Sequence, residues 1–130
     1  MATVGETMST QLVTMAQGSS LAEAASVMSQ RRVGSVLIMD GERLAGILTE
    51  RDIVRAISLD IGAPRDEIGH WMTESPQTID VSGSLETARD AMDRAHIRHL
   101  PVTEGGKVVG MLSMRDLIRI GAAASRERPG

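Results

Sequence analysis

The sequence contains an internal repeat, and this duplication limits the folds that the chain can adopt. When the sequence is compared with itself at the separation of Met8 and Met72, identities recur along most of its 130 residues. The other identical pairs include Thr14/Thr78, Ser20/Ser84, Leu21/Leu85, Ala24/Ala88, Met28/Met92, Gly41/Gly105, Gly46/Gly110, Leu48/Leu112, Arg51/Arg115, Asp52/Asp116 and Arg55/Arg119. One offset sustained without gaps indicates a duplicated folding unit. Because stacked arrays usually need about three repeats, two copies favour a pair packed face to face about a pseudo-two-fold axis.

Each copy predicts the same order of elements, β-α-β-β-α, and therefore an α+β fold. In the first copy a short strand at 13–15 precedes a helix that opens at the capping box Ser20-x-x-Glu23 and carries an amphipathic stripe. An apolar strand at 36–39, a hairpin at Asp40-Gly41, a strand at 43–48 and a helix from Thr49 follow. The second copy repeats these elements at 78–79, 84–95, 100–103, 108–112 and 113–120.

The duplication divides the chain into two repeats, residues 4–60 and 68–121. The connector between them, residues 59–69, contains Gly62, Pro64 and several charged residues. Residues 122–130 lack apolar periodicity, and we expect this tail to fray.

Composition narrows the classes of function. Lys and Arg number 14 against 17 Asp and Glu, so there is no basic surplus to neutralise a phosphate backbone. Trp71 is the sole aromatic residue, which argues against stacking surfaces for single-stranded nucleic acid. There is no cysteine, no apolar run of about 18 residues, and no basic-then-apolar leader. We therefore expect a soluble cytoplasmic protein that does not enter a membrane.

A short motif recurs where a strand runs directly into a helix. It reads Gly46-Ile47-Leu48-Thr49-Glu50-Arg51-Asp52 in the first copy and Gly110-Met111-Leu112-Ser113-Met114-Arg115-Asp116 in the second. The hydroxyl and the carboxylate suit helix capping, in which both satisfy free backbone donors. They also suit ligand binding, because a helix start attracts anions and a carboxylate can accept hydrogen bonds from both hydroxyls of a ribose. The sequence leaves both interpretations open.

The duplicated β-α-β-β-α pattern, with this motif closing each copy and with the segment Arg98-His99-Leu100-Pro101-Val102, resembles a tandem pair of CBS domains, also called a Bateman module. The resemblance covers roughly residues 4–121. It implies a regulatory module that binds an adenosine-containing ligand, such as AMP, ADP, ATP or S-adenosylmethionine, in the cleft between the copies. No cofactor is required in such a module.

The resemblance also implies two crossed sites, each joining the motif of one copy to early strands of the other. One site would combine Thr49 and Asp52 with Thr78, Ile79, Arg98, His99 and Pro101. The other would combine Ser113 and Asp116 with Thr14, Met15, Ser35 and Val36. The carboxylates would hold ribose hydroxyls, the motif hydroxyls would contact ribose or phosphate, and aliphatic strand residues would sandwich adenine.

The two predicted sites differ in charge. Arg98 and His99 could neutralise phosphates, whereas Gly34 and Ser35 occupy the matching positions of the first copy. We therefore expect the Asp52 site to prefer phosphorylated ligands, with a solvated surface side chain as the alternative role for Arg98. The family implies a homodimer formed through exposed helix faces and an effector protein that the sequence does not identify.

Catalysis and metal binding find no support in the sequence. The three histidines, His70, His96 and His99, lack metal-ligand spacing, and no hydrolase-type carboxylate pair or triad can be argued. Trp71 is interpreted as a packing residue and the methionines as core filler. The leading hypothesis is thus a ligand-sensing regulatory module. The alternative is a scaffold or interaction protein whose clefts are degenerate, and an enzyme or nucleic-acid binder is the least favoured class.

Overall fold

The computed structural model describes the backbone of residues 2–127 and the side chains of residues 2–121. The chain divides into two compact units whose boundaries do not follow the sequence repeats. The central unit is Leu12–Pro76, and the terminal unit combines Met1–Gln11 with Gln77–Gly130. The opening residues of the first repeat, up to Gln11, and of the second repeat, up to Pro76, therefore belong to the unit built from the other repeat.

The elements follow one another in the predicted order, with additional short ones. They are α1 (Val4–Thr7), β1 (Thr14–Met15), α2 (Leu21–Arg31), β2 (Ser35–Asp40), β3 (Arg43–Thr49), α3 (Glu50–Leu59), two 3-10 helices (Ala63–Arg65 and Ile68–His70), β4 (Thr73–Glu74), β5 (Ile79–Asp80), α4 (Leu85–Ala95), β6 (His99–Glu104), β7 (Lys107–Ser113) and α5 (Met114–Glu127). The α+β fold class and the duplicated β-α-β-β-α order are confirmed.

The two sheets share one topology. In the central unit the strand order is β1-β2-β3-β4, with β1 parallel to β2 and the other pairs antiparallel. In the terminal unit the order is β5-β6-β7, with β5 parallel to β6. A bridge between Ser9 and Met111 extends that sheet at the place where β4 extends the other. Two backbone hydrogen bonds of 2.9 Å form it, one in each direction.

Each unit buries its own apolar core. The central core joins the apolar face of α2 to β2, β3 and α3, with Leu21, Val36, Ile38 and Leu48 at most 1% exposed. The terminal core is built from the matching elements, α4, β6 and β7. The amphipathic stripe predicted for the first helix is the face that enters the core, since Leu21, Ala24 and Met28 are buried.

Residues at the start of each repeat and in the connector supply core positions that the sequence did not indicate. Val4 is fully buried in the terminal core, and Ala63 and Ile68 of the connector are fully buried in the central core. Residues 59–69, interpreted as a connector, thus contribute part of a folded unit. One signal for α1 was present in the sequence: Thr3 and Glu6 form a capping box at its start.

Helix α5 differs from its prediction. It continues to Glu127, whereas the sequence predicts its end at Ile120 and a frayed tail at residues 122–130. Three consecutive alanines, 122–124, have the highest intrinsic helix propensity and favour continuation without an apolar stripe. Residues 128–130 lie outside the described part of the chain. Within residues 2–127, no helix combines the length and the apolar character needed to cross a lipid bilayer.

Candidate functional site

The first motif builds a reciprocal set of hydrogen bonds at the start of α3. Thr49 is extended and ends β3. Its backbone N–H donates to Oδ2 of Asp52 at 2.9 Å, and its hydroxyl donates to the same oxygen at 3.1 Å. In return the backbone N–H of Asp52 donates to the hydroxyl oxygen of Thr49 at 3.3 Å. The start of α3 therefore carries a capping box formed by its own side chains.

The second motif repeats this geometry at the start of α5. Ser113 donates to Oδ2 of Asp116 from its backbone N–H at 2.8 Å and from its hydroxyl at 3.0 Å. The backbone N–H of Asp116 donates to the hydroxyl oxygen of Ser113 at 3.3 Å. The equivalence of the two copies thus extends from sequence identity to individual hydrogen bonds.

The capping interpretation is what the structure realises at both motifs. Oδ2 of each carboxylate accepts two hydrogen bonds from its own helix start. Both carboxylates keep contact with solvent, because the side chain of Asp52 is 13% exposed and that of Asp116 is 17% exposed. A carboxylate offers about four acceptor positions, so capping alone leaves room on Oδ1 for another donor.

An arginine one turn further along each helix approaches Oδ1 and occupies part of its acceptor capacity. Nη2 of Arg55 lies 3.4 Å from Oδ1 of Asp52, and Nη2 of Arg119 lies 3.6 Å from Oδ1 of Asp116. In the sequence both arginines stand out only as identities between the repeats. The spacing D-x-x-R on a helix was the signal that could have identified them as partners of the carboxylates.

The predicted strand residues of the first repeat lie in the same unit as Thr49 and Asp52. Ser35 is buried and pairs with Thr49 across the antiparallel ladder, while Val36 pairs with Leu48 and is fully buried in the central core. Thr14 and Met15 form β1, beside β2. These four residues had been assigned to the site of the other motif.

The predicted strand residues of the second repeat lie in the terminal unit with Ser113 and Asp116. His99 pairs with Ser113 in register, and Pro101, which is fully buried, pairs with Met111. Ile79 belongs to β5, with Thr78 directly before it, and Arg98 precedes β6 with an exposed side chain. Each crossed site therefore takes residues from both units, and their assembly into a common site stays a prediction.

The position of Arg98 corresponds structurally to that of Gly34. The carbonyl oxygen of Arg98 accepts a hydrogen bond from the N–H of Met114 at 2.8 Å, and that of Gly34 accepts one from Glu50 at 3.1 Å. The backbone places Gly34 against the start of α3 and Arg98 against the start of α5. The charge difference between the two copies therefore lies at matching points of the two units.

The described residues offer two further observations on binding chemistry. Among them no group of three or more His, Asp or Glu side chains could hold a metal ion. A groove of about 310 Å³ lies between α2 and α3 and contains none of the predicted ligand-binding residues. Its lining is mainly apolar and consists of Ala25, Met28, Ser29, Val33, Glu50, Ile53 and Val54.

Asp80, at the end of β5, has a shifted pKa. Hydrogen bonds from the hydroxyl and then from the backbone N–H of Ser82 stabilise its charged form and lower the pKa of the carboxyl group. Asp80 is exposed and directly follows the predicted residue Ile79 in the sequence. The shift is explained by a local turn.

Comparison with known proteins agrees with the duplicated architecture. A model of the CBS domain matches residues 4–59 and again residues 67–123. The CBS domain-containing protein YhcV of Bacillus subtilis is 31% identical over 117 residues, which cover 90% of this chain and 84% of that protein. A solved CBS domain structure, NE2398, superposes with a TM-score of 0.82 at 31% identity, covering 86% of this chain and 88% of that one.

A more distant structure shows the same fold with ligands bound. The CBS domain pair of protein MJ0100, in complex with 5'-methylthioadenosine and S-adenosyl-L-methionine, has a TM-score of 0.86 at 23% identity and covers 95% of this chain and 98% of that one. The family match spans two copies and nearly the whole sequence. This chain therefore belongs to the CBS domain family and contains a tandem pair of CBS repeats.

Proposed function

We propose that this CBS pair is a regulatory module that binds an adenosine-containing metabolite and acts through a partner protein. The observation that carries the proposal is the hydroxyl–carboxylate pair built twice, with the same hydrogen bonds, at the start of a helix. The adenosine derivatives bound by the MJ0100 pair support this class of ligand. AMP, ADP, ATP and S-adenosylmethionine are the candidates.

The chemistry of adenosine fits the residues at the two motifs. A ribose has two neighbouring hydroxyls, and a carboxylate such as that of Asp52 or Asp116 can accept a hydrogen bond from each. The hydroxyl oxygens of Thr49 and Ser113 can accept from ribose or approach phosphate. With no Phe or Tyr in the chain, adenine would lie between aliphatic strand residues. In this proposal each motif works with strand residues of the other repeat, in a cleft between the two.

The two sites would differ in preference. Arg98 is exposed and lies at the position that Gly34 occupies in the other copy. Because a guanidinium binds phosphate by charge-assisted hydrogen bonds, the Asp52 site, which would include Arg98, should favour nucleotides. The Asp116 site should favour a ligand with less negative charge.

Exposed apolar residues on the motif helices support a homodimer as part of this proposal. Val54 on α3 is 68% exposed, and Ile118, its equivalent on α5, is 63% exposed. Neighbouring apolar side chains at Ile57, Leu59 and Ile120 are also exposed. Exposed apolar patches mark interaction surfaces, and a second copy of this chain would cover them.

One observation favours a second function, that of a scaffold whose clefts bind nothing. Both motif carboxylates are engaged by their own helix starts and by an arginine, so their present contacts are explained without a ligand. In that case the duplicated geometry would serve folding, and the exposed helix faces would carry the function.

A thermal-shift panel separates the two functions. A ligand present at about 100 times its Kd stabilises the folded state by about 2.7 kcal/mol. We expect AMP, ADP, ATP or S-adenosylmethionine to raise the melting temperature, and Asp52→Ala to reduce the rise for the nucleotides. A panel with no shift favours the scaffold. A nucleotide-induced shift that survives undiminished in Asp52→Ala shows that the nucleotide site has been assigned to the wrong residues.

A further inference from the structure

Arg55 connects the first motif to the segment that follows α3. Its Nη2 atom lies 3.4 Å from Oδ1 of Asp52 and 3.5 Å from the carbonyl oxygen of Trp71. The guanidinium carbon lies 5.9 Å from the centroid of the Trp71 ring, within the range of a cation–π interaction. The indole Nε1–H of Trp71 in turn donates to Oδ2 of Asp66 at 3.0 Å. All four side chains belong to the central unit.

The carboxylate of Asp52 is close to its capacity as an acceptor. Two donors of Thr49 occupy Oδ2, and Arg55 approaches Oδ1, which leaves about one of the four acceptor positions. The two hydroxyls of a ribose need two positions, so one of the present donors has to leave. The Arg55 contact is the longest of the three, and the Arg55 side chain is 53% exposed. Exposed ion pairs of this kind are weak, so Arg55 is the donor that a ligand displaces most easily.

We propose that Arg55 is a displaceable positioning residue that couples the occupancy of Asp52 to Trp71. Without ligand, Arg55 holds the carboxylate of Asp52 from one side and lies over the indole ring. When a vicinal diol binds Asp52, Arg55 leaves the carboxylate and its contact with Trp71 changes. The second step rests on the proposed function, whereas the ligand-free contacts do not.

The second motif provides a matched control within the chain. Arg119 forms the equivalent ion pair with Asp116, at 3.6 Å. The residue at the position of Trp71, however, is Thr7, because the repeat offset relates these two positions. The second copy therefore has the ion pair without the aromatic partner, and only the first copy can report its state through an indole.

The coupling is first tested without ligand, by the fluorescence of Trp71, the chain's single tryptophan. Asp52→Asn removes the charge that holds Arg55, so we expect a shifted emission maximum and altered quenching by acrylamide. Asp116→Asn should leave both as in the wild type. Arg55→Gln should reproduce the change seen in Asp52→Asn while sparing the capping bonds of Asp52. Wild-type emission in Asp52→Asn and Arg55→Gln, or an equal change in Asp116→Asn, overturns the coupling.

Titration with AMP, monitored by calorimetry and by the fluorescence of Trp71, tests whether the ligand displaces Arg55 from Asp52. In the wild type we expect both signals to saturate together. In Arg55→Gln the heat should persist with up to about fivefold tighter binding, because no ion pair has to be broken, and the fluorescence response should be lost. Heat without a fluorescence response in the wild type overturns the displacement alone. Absence of heat with AMP, ADP, ATP and S-adenosylmethionine overturns the proposed function together with the displacement, even where Asp52→Asn changes the emission.

Discussion

Thr49 and Asp52 exchange hydrogen bonds across the start of α3: the N–H of Thr49 lies 2.9 Å from Oδ2 of Asp52, and the N–H of Asp52 lies 3.3 Å from Oγ1 of Thr49. The proposed function assigns these two side chains a second task, contact with a ribose. Because the two side chains also cap α3, replacing either one should lower the free energy of unfolding whether or not a ligand is present. The two tasks can therefore be separated by measuring stability and binding on the same variants.

Removing the hydroxyl of the first motif should destabilise the protein. Loss of a helix N-cap costs about 0.5–2 kcal/mol, so Thr49→Ala should lower the free energy of unfolding by that amount in urea denaturation. Thr49→Ser keeps the hydroxyl, as Ser113 does at the matching position, and should retain most of the stability. Equal stability of Thr49→Ala and the wild type would show that the capping bonds contribute nothing.

Glycine is required at Gly46 because Met72 lies directly above it. A Cβ atom at this position would lie 2.6 Å from Sδ of Met72 and 2.8 Å from the carbonyl oxygen of Thr73. The backbone oxygen cannot move without breaking the pairing of β3 and β4, so Gly46→Ala should cost about 1–3 kcal/mol, as overpacking does. Gly18→Ala is the control, because nothing lies within 4 Å of its added Cβ. Similar denaturation midpoints for both variants would contradict the packing argument.

The leading segment should be needed for the stability of the terminal unit. Val4 is fully buried in the terminal core, and the N–H groups of Val4 and Gly5 donate to the carbonyl oxygens of Gly83 and Val81. Val4→Ala should destabilise the protein by about 2 kcal/mol, within the range for truncation of buried aliphatic side chains. Ile61→Ala, at a side chain that is 91% exposed, should have almost no effect. If Val4→Ala accelerates amide hydrogen exchange more in β7 than in β3, the loss of stability lies in the terminal unit.

The exposed residues Val54 and Ile118 predict a change in oligomeric state. If a second copy covers these side chains, Val54→Glu and Ile118→Glu together should convert a dimer into a monomer, because charges buried at an interface are costly. Light scattering measures the mass directly. Glu42→Lys, in the β2–β3 hairpin, changes surface charge elsewhere and serves as the control. A monomeric wild type would refute the dimer.

Asp80 predicts a small contribution to stability at acidic pH. Its pKa is lowered in the folded protein by the hydrogen bonds from Ser82, below the ordinary value of 3.8. A carboxyl group with a lowered folded pKa stabilises the fold above its unfolded pKa and loses that contribution as pH falls through the folded pKa. Ser82→Ala should therefore lower the free energy of unfolding at neutral pH and leave it close to that of the wild type below the folded pKa of Asp80. An equal loss at all pH values would contradict the linkage.

The sequence predicted the elements that carry periodic apolar residues. The stripe of Leu21, Ala24 and Met28 identified α2, and the capping pattern at Thr49 located the start of α3 to the residue. The hairpin loops were also located, since Gly41 has φ +62° and Gly105 and Gly106 have φ +58° and +82°. These features depend on neighbours along the chain, which a sequence displays directly.

The features that the sequence did not predict depend on contacts between distant segments. Val4 and Ile68 are single apolar residues without periodicity, so nothing local indicated that each completes a core. The contact of Arg55 with Trp71 joins residues that are 16 positions apart. The composition of the crossed sites also requires knowledge of tertiary contacts, and it came from the family resemblance alone.

Calorimetric titration of AMP into the wild type, Asp52→Asn and Asp116→Asn determines whether the carboxylate of Asp52 binds the ligand. Because hydrogen bonds to a charged group contribute about 1.5–3 kcal/mol, we expect AMP to bind the wild type and to bind Asp52→Asn about tenfold or more weakly. Asp116→Asn should bind AMP at the Asp52 site as the wild type does. Undiminished binding to Asp52→Asn would contradict the assignment of this carboxylate to the ligand.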